Sequence, residues 1–124
     1  MHPLVILEHL GLALLGLFFV WGGLNHFRIF REVRAMLMER HWPLPGFVLT
    51  LASLWEAIAG GVLASGFYTV WAAVALIVFV VLASVLLLDF WNQEGDARAA
   101  SLNAFLLNMA VIGGLVLAVA LALE

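Results

Sequence analysis

The sequence predicts an all-α integral membrane protein, a four-helix bundle with an interfacial amphipathic helix between the first and second spans. Three observations carry that reading. Of 124 residues, 66% are hydrophobic and only 10% charged, with a mean hydropathy of +1.17. A soluble domain this small has too little interior to hide so much apolar surface. Four segments, about 4–27, 46–65, 69–91 and 101–122, reach the length of roughly 20 apolar residues that a helix needs to cross about 30 Å of hydrocarbon. Boundary signals fall between them: Pro43 and Pro45 before the second, Gly66 after it, and the polar run from Asn92 to Ala100 before the fourth.

The first segment lacks basic residues ahead of it and a small-residue cleavage site behind it, so it reads as a retained span rather than a secretory leader. The connection that follows, about 28–41, is too long for a tight turn and has helical period. Ile29, Phe30, Val33, Met36 and Leu37 fall on one face, and Arg28, Arg31, Glu32, Arg34 and Glu39 on the other. Such a helix lies in the interface with its arginines toward the headgroups; a solvated helical linker is the alternative. The loops after spans one and three share a side and collect all five arginines, Arg28, Arg31, Arg34, Arg40 and Arg98. The positive-inside rule makes that side cytoplasmic, in a bacterial-type inner membrane, with both termini outside. Together the four spans form a single transmembrane domain over residues 1–124.

Composition excludes several classes. Lysine is absent and the basic residues are clustered, which does not suit nucleic-acid binding. With no cysteine, the chain has no disulfide, thiol couple or cysteine-ligated iron–sulfur cluster of its own. Walker, Rossmann and nucleophile-elbow patterns are missing.

Inside the spans, small and polar residues recur at helical spacing. On the first helix Glu8, Gly11, Leu15, Phe18, Gly22 and Asn25 form one stripe, with His26 beside its end; on the second, Ser53, Glu56 and Gly60 share a face that Gly61 adjoins. Glycines let helix backbones approach, so Gly11, Gly22, Gly60, Gly61, Gly113 and Gly114 are the expected packing residues. The fourth helix divides its signals, with Asn103, Ala110 and Gly114 on one side and Ser101, Asn108 and Ile112 on another. Glu56 lies roughly 16 Å along its helix from Pro45, near the midplane. Asn25, His26, Asp89, Trp91, Asn92 and Asn103 sit closer to the arginine side, so the polar groups line a funnel open there.

GGLNHF at 22–27, WPLPGF at 42–47, Glu56 followed by Gly60-Gly61, Phe90-Trp91-Asn92, and then Asn103, Asn108 and Gly113-Gly114 together resemble the DoxX family of small four-helix membrane proteins, over nearly the whole chain. The resemblance implies membrane redox work, as in subunits of thiosulfate:quinone oxidoreductases or membrane partners of thiol and oxidative-stress enzymes. By the same resemblance Glu56, Gly60, Gly61, Phe90, Trp91 and Asn108 match recurring positions; none is thereby catalytic.

On physical grounds, a buried glutamate needs a partner, a proton or a purpose. A carboxyl that can donate as well as accept suits a quinone carbonyl or a proton relay. The candidate quinone or proton site is therefore Glu56 with Trp55, Asn25, His26, Trp91 and Asn108; the alternative is that Glu56 bonds Asn108 or Asn25 and only fixes packing. For Asn25, Asn103 and Asn108, packing is the preferred reading. Trp21, Trp42, Trp71 and Trp91 suit the interfacial aromatic belt, and Trp55 suits core packing. His9 and His26 stand roughly 25 Å apart on one helix and cannot clasp one haem iron, while His2 and His41 lie in tail and loop. No metal site is expected, since Glu8 and His9 diverge and Asp89, Glu94 and Asp96 have no ligand spacing.

The expected function is a membrane subunit of a redox or respiratory assembly, without a redox centre of its own. It would anchor partner subunits or contribute to a quinone-side pocket, and would not be catalytic alone. No cofactor is expected on this chain alone, other than a quinone. The expected partners are the lipid bilayer and unlike membrane or redox subunits. A purely structural subunit and a homo-oligomeric proton-coupled transporter using Glu56 are the alternatives. In outline the last resembles the small multidrug-resistance class, which places its glutamate in the first helix instead.

Overall fold

The computed structural model describes residues 3–124; His2 lies outside the described residues. Among the described residues the chain is all-helical, as expected: α1 (Pro3–Arg28), α2 (Phe30–Glu39), α3 (Pro45–Ser65), α4 (Thr69–Leu87) and α5 (Gly95–Leu123), with a 3-10 turn at Phe90–Asn92. Helices α1, α3, α5 and the stretch Thr69–Asn92 are long and apolar enough to cross a membrane. Two compact units divide the chain between Tyr68 and Thr69.

In the first unit α1 and α3 run antiparallel and touch backbone to backbone. A methyl group added at Gly60 would stand 2.7 Å from the Gly16 carbonyl oxygen and 2.8 Å from Phe19 Cβ; one at Gly23 would stand 2.6 Å from the Ser53 carbonyl oxygen. Nothing larger than hydrogen fits there. The buried residues of α1 are Gly16, Phe19 and Gly23, whereas Phe18 is exposed and a methyl at Gly11 would meet nothing within 4 Å. The expected inward stripe through Gly11, Leu15 and Phe18 is thus rotated by about one residue, or 100°. Two glycine registers compete on α1, and the one that meets Gly60 across the seam determines the face. On α3 the expected face is the one used: Leu49, Ser53, Glu56, Gly60 and Leu63 are buried. Gly61 is exposed, with Val20 Cγ2 4.0 Å from an added methyl.

The two helices are staggered. His26, near the end of α1, meets Ser53, about two turns inside α3, and His9, inside α1, packs its ring on Gly66 beyond α3. Helix α2 covers the start of α3, where Phe30 and Arg34 lie against Gly46. Its apolar face is the one expected: Leu37 is buried and Ile29, Phe30, Val33 and Met36 half-buried, while Arg28, Arg31, Glu32, Arg34 and Glu39 are exposed. The chain leaves α2 through a Schellman turn. His41 N–H donates to Met38 O (3.0 Å) and Trp42 N–H to Leu37 O (3.1 Å), with His41 in the left-handed region at φ 61, a position usually given to glycine. Pro45 then opens α3, where its missing N–H costs nothing.

The second unit pairs α4 with α5. Ala72, Ala73, Leu76, Val80 and Ser84 are buried on α4, and Leu115 and Ala118 on α5. Asn108 Nδ2 donates to Ser84 Oγ at 2.9 Å. Where the chain turns, Phe90 stacks edge-on against Trp91 and Phe105, the Asp89 carboxylate accepts from Gln93 Nε2 (3.1 Å), and Ser101 Oγ donates to Gln93 Oε1 (2.6 Å). Helix α5 starts at Gly95, earlier than the apolar span at 101. Hydropathy marks where lipid begins, whereas Ala97, Ala99 and Ala100 favour helix with or without lipid. Asn103, Ala110 and Gly113 are exposed and Gly114 is half-buried.

Candidate functional site: an acid and an imidazole in the α1–α3 seam

Spacing on two helices assembles the site. Gly22 and His26 are four apart on α1 and so lie one above the other; Ser53 and Glu56, three apart, do the same on α3. The glycine seam draws these pairs together. Gly22 leaves the space that the carboxylate occupies, since a methyl there would stand 2.5 Å from Glu56 Oε1. His26 Nδ1 and Ser53 Oγ share a hydrogen bond of 3.2 Å, its direction set by the ring tautomer. The same nitrogen lies 3.4 Å from Glu56 Oε2, an ion-pair distance without hydrogen-bond alignment. Glu56 is buried at 6% exposure, and its Oε2 has no hydrogen-bond partner. In hydrocarbon an unpartnered polar atom costs several kcal/mol by order of magnitude.

Depth follows from the same contacts. Measured along α3, Glu56 is near mid-span; measured along α1, its neighbour His26 is within a turn of Arg28. The stagger reconciles the two, because α3 overhangs α1 by about two turns at the arginine end. Acid and imidazole therefore share a level nearer that end than the length of α3 alone suggests.

The other expected residues have surroundings of their own. Asn25 Oδ1 accepts from Arg28 Nε at 2.9 Å, and the Arg28 guanidinium lies 5.9 Å above the Trp21 ring, so the polar neighbour of Glu56 is His26 rather than Asn25. Trp55 is 50% exposed. It follows Leu54 on α3, about 100° around the helix from Glu56. Asn108 and Trp91 belong to the second unit, where Ser84 and the rings of Phe90 and Phe105 hold them. Sequence reasoning missed Ser53 as the anchor of His26, and Gly22 as the room for the acid. Their spacing, i to i+4 on one helix and i to i+3 on the next, was the available signal.

A family model described as DoxX matches residues 11–89, more than half of the chain. The chain belongs to the DoxX family. The matched stretch contains every residue of the seam site, Gly22, His26, Ser53 and Glu56, but stops before Trp91, Asn103 and Asn108, so it is narrower than the near-complete likeness seen in the sequence. Searches of curated proteins and of solved structures returned no match. DoxX membership and four apolar helices make this a membrane protein.

Proposed function

We propose that this DoxX chain is a membrane subunit of a quinone-linked redox assembly in a bacterial-type inner membrane. It anchors unlike partner subunits and presents Glu56 as a proton-handling group to a quinone. One observation carries the reading: the buried Glu56 Oε2 has no hydrogen-bond partner and faces an imidazole nitrogen at 3.4 Å. A purely structural acid would be expected to satisfy both oxygens, as the buried Ser84 Oγ is satisfied by Asn108 Nδ2. An orphaned carboxyl fits the carbonyl or hydroxyl of a quinone headgroup, with Glu56 holding it and His26 beside it. When bound, a quinone supplies a couple of two electrons and two protons. The protein's share is to hold a proton at Glu56 and to keep the seam dry. The arginine end, with Arg28, Arg31 and Arg34 exposed, faces the cytoplasm by the charge rule.

The test is gentle purification of the native complex, with mass spectrometry of the accompanying chains and extraction of quinone, combined with Glu56→Gln. Unlike redox subunits with quinone, and a variant that assembles but turns over at least about 100-fold more slowly, are expected. A chain found only with copies of itself and free of quinone would overturn the proposal.

A further inference from the structure

We infer that His26 is the proton relay between Glu56 and the arginine end of the first unit, with Ser53 positioning its ring. The inference rests on the proton role proposed for Glu56 and adds the route. The seam leaves few ways out for a proton. Toward the start of α1 the next layers are Phe19 at 2% exposure and the Gly16–Gly60 backbone contact, which offer no side chain able to carry one. Toward the start of α3 stands Leu49 at 4%, and α2 adds Leu37 at 3%. Asn25 is engaged by Arg28, and Arg28 turns to Asn25 and Trp21. His26 remains. Its side chain is 30% exposed against 8% for Glu56, so the ring spans from the buried acid to the outside of the helix pair, one turn from the exposed arginines.

The chemistry balances without another reactant. Hydronium at the arginine end gives a proton to Nε2 of the Nδ1–H ring, forming imidazolium; the Nδ1 proton then passes across 3.4 Å to the Glu56 carboxylate, leaving the Nε2–H tautomer, and tautomerisation through solvent restores Nδ1–H. Carboxylate and hydronium become carboxylic acid and water. The reverse sequence releases the proton. The Ser53 hydroxyl, 3.2 Å from Nδ1, holds the ring at the acid and competes for that nitrogen.

Hydrogen–deuterium exchange of the Glu56 carboxyl tests the route independently of turnover. The full chain in lipid nanodiscs is moved from H2O to D2O at a pH where the acid is protonated. The shift of its carboxyl infrared band is then timed, the band being assigned by its loss in Glu56→Gln. His26→Ala is expected to slow exchange about 100-fold, with free imidazole restoring most of the rate. His26→Gln, which can still bond Ser53, is expected to be equally slow without imidazole and guards against misfolding of the alanine variant. Ser53→Ala slows exchange by a smaller factor. Unchanged exchange in the His26 variants, or slowed exchange that imidazole fails to restore, would overturn the relay. Absence of quinone from the native complex would sink the proposed function while leaving these rates as they are.

Discussion

The two units of this chain solve one problem in different ways. In the first, α1 and α3 meet along glycine and serine backbone, and a carboxyl oxygen is buried without a partner. In the second, α4 and α5 pair with alanine, leucine and valine buried on them, and the buried Ser84 Oγ accepts a hydrogen bond from Asn108 Nδ2. Lipid tails are as apolar as leucine, so neither pair is held by hydrophobic burial against its surroundings; close contact and hydrogen bonding are what remain. The contrast separates a close-packed seam that leaves a buried acid oxygen without a partner from a helix pair whose buried serine has one.

The comparison breaks most visibly at the seam. Gly60→Leu drives a side chain into the Gly16 carbonyl and Phe19 Cβ, where backbone cannot yield, and is expected to cost at least about 3 kcal/mol, at or above the upper range for overpacking. Thermal unfolding in nanodiscs would show it as loss of the cooperative transition. A near-wild-type transition would mean that the helices do not meet there. Next in size is the second unit's hydrogen bond: Ser84→Ala and Asn108→Leu, with their double mutant, should give a coupling of about 0.6 to 1.7 kcal/mol. Zero coupling would reduce the two units to the same kind of apolar contact.

Glu56→Gln sharpens the contrast from the other side. Because the acid's Oε2 has no hydrogen bond to lose, the substitution should change stability by less than about 1 kcal/mol, even as proton handling fails. A large loss of stability would make Glu56 a structural residue after all. The smallest effect belongs to Gly113→Ala, at an exposed position of α5 with nothing within 4 Å. There the helix propensity of alanine should stabilise by no more than about 1 kcal/mol. A clear loss there would reveal a helix partner at Gly113.

Much of the candidate site was legible. Glu56 stands out because an acid in an apolar span is costly wherever the helix points, and Ser53 and Gly60 share its face by simple periodicity. Joining His26 to Glu56 was not legible from depth. Counted along its own helix, each residue sits at a different level, and the stagger that equalises them arises from a contact between helices. Adjacency in sequence places two side chains about 100° apart on a helix, and Trp55, beside the buried Glu56, is 50% exposed. Gly16 and Gly23 lay hidden among other glycines of α1, since nothing local separates a glycine that touches a partner from one that touches lipid.

By itself the sequence determined that the chain is a membrane protein with four apolar helices and that an amphipathic helix follows the first. These properties depend on how each residue partitions between water and lipid, which needs no knowledge of neighbours. Only the tertiary structure decided which glycine register of α1 faces α3, how far the two helices slide past each other, and that His26 rather than Asn25 meets Glu56. In lipid the apolar faces of a helix are nearly equivalent in energy, so the choice among them rests on the fit of one backbone against another.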